Sequence, residues 1–440
     1  MSVSTSRNIT VTIVRQVLTA IVQLLIMLLI AKNYGTTGNG IYAMCVLFPT
    51  TLFTLLNSGI TSSIVYHLAG KHRSPSLILK DIFLFFMMIS LCGLLIGYGI
   101  IKCLAITLFP GVDKNLLLIS LTVFPFMLLN QCMLSFFQGL NEFKYFNLLS
   151  IIQPIFMLFV ITLLIYYQLI DIEYLIISYV VSIIGTVLCG FFMMFVIRRI
   201  ICGNADSLVD RNEFFCYGLR SQVSNIITFF NYRSATYIIN FFLGPSISGI
   251  YFIAVQIIEK LWVISNAVCT VLLPRLCSQE RIYVYDKVDI ISFSSRWIIT
   301  LTILTGLSAI VVFEYIVLWV IGDEYKQATH VLIMTLPGVA LWAGSKIMSA
   351  YFLSRDLQRY NIISSFYVFI ANTLISIIFI PIIGLYGAAL ATLCSYSLDF
   401  IYKRFVYSRV CSTNNSLLFF NYKDLYFIKN HFDKLLRMKR

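Results

Sequence analysis

The sequence predicts an all-α integral membrane protein with about twelve transmembrane helices in two parallel six-helix repeats, and with both termini in the cytoplasm. Three observations predict this fold class: the composition, the length of the apolar runs and the placement of the basic residues. Of the 440 residues, 59% are apolar and 12% are charged, and the mean hydropathy is +0.89. Because a soluble domain has about 25% charged residues, a water-soluble globule is excluded. The apolar runs are continuous and too long for the tilted strands of a membrane barrel.

The apolar runs and the turn-forming residues between them define the spans in chain order. The first half of the chain predicts spans at 9–31, 41–67, 82–108, 116–137, 147–169 and 174–197. The second half predicts spans at 216–242, 247–273, 290–320, 328–353, 362–382 and 384–407. Each run provides the roughly 20 apolar residues that a helix needs to cross the hydrocarbon. The predicted domains are an N-terminal six-helix bundle (1–197), a cytoplasmic linker (198–215), a C-terminal six-helix bundle (216–411) and a basic tail (412–440).

Most of the 32 lysines and arginines lie in alternate connections, which indicates the orientation. The side predicted to be external carries only Lys32, Lys102, Lys114 and Lys326. The other basic residues of the connections, among them Lys403, lie on the side that holds both termini, and the positive-inside rule makes that side cytoplasmic. In the tail, apolar and basic residues recur at helical spacing, which predicts an amphipathic helix on the anionic membrane surface. A frayed basic tail is the alternative.

Two matched segments indicate an internal repeat. The first pairs Gly35, Thr37, Gly40, Ile41 and Tyr42 with Gly244, Ser246, Gly249, Ile250 and Tyr251, and the second pairs Lys144, Tyr145 and Asn147 with Arg359, Tyr360 and Asn361. Because the separation along the chain is nearly the same in both, the sequence predicts a duplicated six-helix unit. Two such units inserted the same way up are typical of transporters in which a cavity between two bundles opens alternately to either side. A repeat that only builds a scaffold is the alternative.

A few charged residues lie deep inside the predicted spans, where each charge costs about 3 kcal/mol or more. The basic ones are Arg15, Arg233, Lys260 and Lys346, and the acidic ones are Glu259 and Asp399. Interhelical ion pairs, for example Lys346 with Asp399, would neutralise only part of this positive charge. The surplus predicts a cationic cavity, and arginine and lysine bind phosphate and pyrophosphate esters. We therefore expect the four bases to bind an anionic substrate.

The sequence lacks the motifs of enzymes and of metal or nucleotide sites. It contains no Gly-Lys-Ser or Gly-Lys-Thr phosphate loop, no His-Glu-x-x-His and no Gly-x-Ser-x-Gly. The 11 cysteines include no Cys-x-x-Cys pair and mostly lie in apolar runs, so they predict neither a zinc site nor a disulfide framework. We expect no enzymatic activity, no cofactor, no metal and no nucleic-acid partner.

Several motifs along the chain resemble a known family. They are Gly35 to Tyr42, Leu56-Asn57-Ser58-Gly59-Ile60, Phe137-Gln138-Gly139-Leu140, Tyr217-Gly218-Leu219-Arg220, Asn231-Tyr232-Arg233, and Ile380-Pro381 with Gly384 to Ala389. Over nearly its whole length the chain resembles the polysaccharide-unit flippases, the O-antigen (Wzx-type) translocases of the MOP superfamily, whose fold is MATE-like. One departure is Ala235, because many relatives have an acidic residue two positions after the arginine matched by Arg233.

The resemblance implies a function and its partners. It implies a flippase that moves a polyprenyl-pyrophosphate-linked oligosaccharide, such as an O-antigen unit of lipopolysaccharide, from the cytoplasmic to the periplasmic leaflet of the bacterial inner membrane. It implies membrane lipids, a polysaccharide polymerase and chain-length machinery as partners. It also implies antiport driven by an ion gradient, for which Glu259 and Asp399 are the candidate carboxylates.

Two other functions are compatible with the span count. A multidrug or cation antiporter of the same fold is one, although it is expected to concentrate carboxylates in its cavity, and the observed sign is the reverse. A membrane-embedded O-antigen polymerase or ligase is the other, although that class is expected to have a large external loop and none is predicted here.

Overall fold

The computed structural model describes residues 3–70, 74–196, 211–277, 284–355 and 357–411. Within these ranges the chain is helical apart from short turns and contains no strand, which confirms the predicted all-α class. Residues 198–210 of the predicted linker and the whole predicted tail, 412–440, lie outside the described residues. Residues 211–215 of the predicted linker are part of a helix.

The helices follow the predicted spans closely in position. The first part of the chain forms α1 (Val3–Leu56), α2 (Ile60–Ala69), α3 (Pro75–Leu108), α4 (Lys114–Leu121), α5 (Val123–Gly139), α6 (Phe143–Tyr166) and α7 (Ile172–Val196). The second part forms α8 (Arg211–Cys277), α9 (Val284–Val312), α10 (Leu318–Ile321), α11 (Lys326–Ser354), α12 (Gln358–Ile383) and α13 (Leu385–Cys411). A π-helical turn (Phe313–Val317) joins α9 to α10, and a 3₁₀ turn (Asp323–Tyr325) precedes α11.

Nine helical stretches of the described residues are long and apolar enough to cross a membrane. Two helices bend at a glycine: α1 bends at Gly35 (φ 63°) and covers the first predicted span and part of the second, and α8 bends at Gly244 (φ 79°) and covers two predicted spans. Glycine accepts this left-handed backbone because it has no Cβ atom. α13, which covers the last predicted span, is not among the nine. The chain is therefore a multi-pass membrane protein, while the count of twelve spans and the orientation of the termini stay predictions.

The outer faces of the helices are apolar, as a lipid environment requires. On α3, Met88, Leu91 and Leu95 are each more than 60% exposed. The opposite face of α3 carries Gly93 and Gly97, which pack against α5 and α4. Because lipid tails solvate apolar side chains as well as a protein core does, close packing at small residues holds such helices together.

The described helices form two compact units. The first comprises Met1–Gln256 with Val317–Ala328, and the second comprises Ile257–Ile316 with Thr329–Arg440, as far as these ranges are described. The apolar core of the first unit is built mainly from α1 to α7. The core of the second unit is built mainly from α9, α11 and α13. The chain passes from one unit to the other within α8.

The two glycine bends that the repeat pairs have the same conformation and contact each other in the first unit. The hydroxyls of Thr36 and Ser246 lie 2.9 Å apart just after the bends. A Cβ atom on Gly40 would lie 1.7 Å from the carbonyl oxygen of Pro245. A Cβ atom on Gly249 would lie 2.1 Å from the carbonyl oxygen of Thr36. The repeat pairs Thr36 with Pro245 and Gly40 with Gly249, so these reciprocal contacts are those of two equivalent segments related by a two-fold axis.

Candidate functional site

The membrane helix that follows the first bend is interrupted before it ends. α1 and α2 are separated by Asn57, Ser58 and Gly59. Ser58 (φ 49°) and Gly59 (φ 68°) have left-handed backbone conformations that end the helix. Gly218 on α8 packs against this break, where a Cβ atom would lie 2.8 Å from the Ser58 carbonyl oxygen. The predicted span 41–67 is therefore two helices, because three turn-forming residues interrupt its apolar run.

A cavity of ≈ 320 Å³ lies beside this break, within the first unit. Four amide side chains line it, from Asn57, Gln131, Gln222 and Asn225. Three threonine hydroxyls and three aromatic rings complete the lining. Among the lining residues that the structure describes, none is charged. The cavity is therefore a neutral site that offers hydrogen-bonding groups together with apolar ring faces.

Two of the four amides are held in a defined orientation. Gln222 Nε2 donates to the carbonyl oxygen of Thr54, and Asn57 Nδ2 donates to Thr61 Oγ1 at 3.3 Å. Because a backbone carbonyl only accepts, Gln222 must present its nitrogen to Thr54 and keep its oxygen elsewhere. Gln222 and Asn57 are each 5% exposed. In the part of the chain that the structure describes, no donor lies within hydrogen-bond distance of Gln222 Oε1 or Asn57 Oδ1.

Two of the predicted anion-binding residues, Arg15 and Arg233, lie in the first unit. Arg15 is half-buried on α1, and its guanidinium carbon lies 5.4 Å from the ring centroid of Phe146. Arg233 is half-buried on α8, one turn before Tyr237. The Tyr237 hydroxyl lies 2.5 Å from Thr51 Oγ1 on α1. Both guanidinium groups are thus partly enclosed by helices of this unit.

The predicted anion-binding residue Lys346, on α11, lies among aromatic rings of the second unit. Its Nζ is 4.1 Å from the ring centroid of Trp342 and 5.6 Å from that of Trp262. The same Nζ donates a 2.7 Å hydrogen bond to Asn266 Oδ1. Tyr396 stacks on Trp342 with ring centroids 5.6 Å apart. Since indole faces attract an ammonium group through their negative potential, neutral groups hold this cation in place.

Asp399, on α13, is buried with three donors around its carboxylate. Lys403 Nζ lies 2.9 Å from the carboxylate, Ser364 Oγ donates at 2.5 Å, and Ser345 Oγ also donates. The interhelical pair of Lys346 with Asp399 is therefore wrong. Asp399 pairs instead with Lys403 on its own helix, because residues four apart are neighbours on a helix surface. Lys403, expected in a cytoplasmic connection, is buried for the same reason.

The remaining predicted residues, Glu259 and Lys260, are adjacent and half-buried on α8. Successive helical residues do not share a face, so their side chains point in different directions. Both belong to the second unit, together with Lys346 and Asp399. The six predicted site residues are thus divided between the two units, with Arg15 and Arg233 in the first and the other four in the second.

Sequence reasoning missed the aromatic surroundings of Lys346 and the neutral cavity. A signal for the first exists, because Trp262 and Trp342 are two of the chain's four tryptophans and Lys346 follows Trp342 by one helical turn. A signal for the second is the Asn-Ser-Gly sequence at 57–59, which favours a turn inside an apolar run.

The family described as "Polysaccharide biosynthesis protein" matches residues 5–279, which is more than half of the chain. The chain belongs to this family. In this polysaccharide biosynthesis protein the matched residues include the whole lining of the neutral cavity. They also include Arg15, Arg233, Glu259 and Lys260, whereas Lys346 and Asp399 lie beyond them.

Two kinds of solved structure share the fold. A lipid II flippase, MurJ, in an inward closed conformation is 18% identical, with a TM-score of 0.71 over 89% of this chain and 86% of that chain. An inward-facing multidrug resistance MATE family transporter of the MOP superfamily is 12% identical, with a TM-score of 0.69 over 90% and 96%. No curated protein matches in sequence. The family match and the shared fold agree with the resemblance seen in the sequence: the chain belongs to a polysaccharide biosynthesis family and has the same fold as a lipid II flippase and a MATE family transporter.

Proposed function

We propose that this protein is a flippase that moves a polyprenyl-pyrophosphate-linked oligosaccharide from the cytoplasmic to the periplasmic leaflet of the bacterial inner membrane by alternating access. Family membership supports a role in polysaccharide assembly, and the MOP-type fold supports transport. In this proposal the cargo is an O-antigen unit or another surface polysaccharide unit, delivered to a polymerase and its chain-length machinery. The observation that favours an anionic cargo is the environment of Lys346.

Lys346 keeps a positive charge inside an apolar helical unit. Its Nζ contacts Asn266 and two indole rings, which are all neutral. Asp399, the nearby deep carboxylate of the second unit, is paired with Lys403 instead. Lys346 is half-buried, and a partly desolvated charge is costly unless an opposite charge compensates it, which an anionic ligand would do. The pyrophosphate of a lipid-linked saccharide provides both the charge and several acceptor oxygens.

The other deep charges extend this proposal. We assign Arg15, Arg233 and Lys260 to binding the same anion along its path, and Glu259 to ion coupling. A role for Asp399 as a second coupling carboxylate conflicts with its structural role, because its oxygens already accept hydrogen bonds from Lys403 and two serines. Ion coupling requires a carboxylate that can exchange its cation, and in this structure Lys403, on the same helix, already occupies the place of that cation.

The sign of these charges separates the proposal from its alternatives. A multidrug or cation antiporter has the same fold, so the structural likeness does not distinguish the two. A cationic cargo is stabilised by carboxylates and repelled by a half-buried ammonium such as that of Lys346. A polymerase or ligase is disfavoured because the solved structures that share the fold are a flippase and a multidrug transporter.

Reconstitution tests the proposal directly. The protein in liposomes is given a fluorescent polyprenyl-pyrophosphate glycan, and transfer between leaflets is followed with a membrane-impermeant quencher. We expect Lys346→Met to slow transfer about 10- to 100-fold, since a charge-assisted hydrogen bond contributes about 1.5–3 kcal/mol. Methionine preserves most of the side-chain length, and Lys346→Arg should retain much of the activity because it keeps the charge.

Lys326→Met is the matched control, because Lys326 is 62% exposed and its partner Asp323 is 79% exposed. This variant should transfer the lipid at the wild-type rate. Absence of transfer by the wild-type protein would contradict the proposed function. Wild-type rates in Lys346→Met would contradict the assignment of Lys346 to the anion.

A further inference from the structure

We infer that the ammonium group of Lys403 occupies a binding site for a monovalent alkali cation on Asp399, so that in this chain a tethered charge replaces a free ion. The inference goes beyond the proposed function, because it does not depend on the cargo. Three observations support it: the contact of Nζ with both carboxylate oxygens, the serine donors from two other helices, and the burial of the cluster.

The Lys403 ammonium has the position of a chelated cation. Its Nζ lies 2.9 Å from Oδ1 and 2.9 Å from Oδ2 of Asp399, so it lies on the open edge of the carboxylate. A bidentate carboxylate binds a hard cation such as calcium in this way, through both of its oxygens. A salt bridge needs only one such contact, and the second makes this ammonium equivalent to a chelated ion.

The carboxylate is oriented by helices other than its own. Ser364 Oγ on α12 donates to Oδ1 of Asp399 at 2.5 Å, and Ser345 Oγ on α11 donates to Oδ2. Both donors remain when the lysine is removed, so the carboxylate should keep its open edge toward the position of Nζ. The carboxylate ligands of metal sites are hydrogen-bonded in the same manner, because such contacts fix the ligating oxygens.

The charge balance of the cluster favours a monovalent ion. The side chains of Asp399 and Lys403 are 3% and 8% exposed, and both serines are buried. Removing the ammonium would leave a desolvated carboxylate, which one free positive charge can compensate. A divalent ion would add an uncompensated charge close to Lys346, whose ammonium is already repelled by that of Lys403.

Shortening Lys403 would make room for the ion. Alanine at this position removes the buried methylene chain beyond Cβ together with the ammonium. The space is bordered by a carboxylate, and a polar space of sufficient size can hold water or an ion. α13 ends at Cys411, about two helical turns after Lys403, so the site is near the helix end that the sequence predicts to be cytoplasmic.

Thermal unfolding of the purified full-length protein tests the inference, with intrinsic tryptophan fluorescence as the readout. Sodium chloride or potassium chloride replaces choline chloride at constant ionic strength. We expect the unfolding midpoint of Lys403→Ala to rise in a saturable way, by about 5 °C more than that of the wild type when the ion reaches about 100 times its dissociation constant. An ion that binds elsewhere in the chain would affect both proteins equally.

Two control variants isolate the site. Lys403→Ala combined with Asp399→Asn lacks the chelating carboxylate, so its midpoint should respond to each salt as that of the wild type does. Lys326→Ala removes the lysine of the exposed pair with Asp323, where water already solvates the carboxylate, and it should also respond like the wild type.

Three results would overturn the inference. The first is a response of Lys403→Ala to both salts no larger than that of the wild type, which would make the ion pair purely structural. The second is an equal response of Lys403→Ala with and without Asp399→Asn, because the ion would then bind elsewhere. The third is failure of Lys403→Ala to fold in all three salts, since the inference requires that a free ion can replace the ammonium.

Discussion

The buried pair of Asp399 and Lys403 leads to a prediction that separates a structural role from ion coupling. The side chains are 3% and 8% exposed, and Nζ lies 2.9 Å from the carboxylate. We consider the variant Asp399→Ala. It removes the carboxylate and leaves the Lys403 ammonium buried, together with two serine hydroxyls that lose their acceptor.

The structure sets the expected magnitude. Breaking a buried ion pair by removing one partner costs about 3–5 kcal/mol, because the remaining charge is desolvated without compensation. Replacing both partners with apolar residues is often neutral or stabilising. The double variant with Asp399→Ala and Lys403→Met should therefore be more stable than Asp399→Ala and closer to the wild type. In a double-mutant cycle the two sites should be coupled by about 2 kcal/mol or more.

The assay is unfolding of the purified protein by SDS in mixed micelles, followed by intrinsic tryptophan fluorescence, with flipping measured on the same preparations. We expect Asp399→Ala to lose stability and the double variant to recover both stability and flipping. Asp399→Ala with wild-type stability but no flipping would refute this reasoning, because it would show that the carboxylate acts in transport and not in holding α13. Additive single effects would refute the ion pair itself.

Two further predictions concern the contact between the two glycine bends and the placement of the basic residues. Gly249→Ala should sharply reduce the yield of folded protein in size-exclusion chromatography, since the new Cβ atom would lie 2.1 Å from the Thr36 carbonyl oxygen. The control Gly99→Ala, with nothing within 4 Å of its Cβ atom, should elute like the wild type. Equal yields of the two variants would contradict the close contact at Gly249. A reporter enzyme fused after Arg440 should be active only in the cytoplasm, because most basic connections lie on the same side as that end; periplasmic activity would reverse the orientation.

The helix positions could be predicted from the sequence because a membrane helix requires only a long enough run of apolar residues. A membrane helix needs about 20 apolar residues in a row. The span expected at 82–108 ends at the same residue as α3, and the span expected at 362–382 lies within α12. The repeat was visible for a similar reason, since a bend with positive φ demands glycine at Gly35 and again at Gly244.

The site was harder to predict, because pairing depends on which neighbour is nearest in space. Counting deep charges led to a pair between Lys346 and Asp399, but a helical separation of four residues gives Asp399 a closer partner in Lys403. The positive-inside rule places Lys403 in a cytoplasmic connection, whereas the structure buries it beside Asp399. A count of charges could not reveal the neutral cavity, because its chemistry depends on the orientation of uncharged amides.

A lipid-linked saccharide poses two different recognition problems, and the two units contain different chemistry. The pyrophosphate of the proposed cargo needs positive charge at low dielectric, and we assign this role to Lys346, which lies among indoles in the second unit. The sugar needs uncharged polar groups and ring faces, and the cavity near Gln222 in the first unit is lined by uncharged amide, hydroxyl and aromatic side chains. A transporter for small cations would need neither feature, and a transporter for inorganic anions would need only the first. The presence of both is therefore a stronger argument for a glycan-bearing anionic lipid than the net charge of +13.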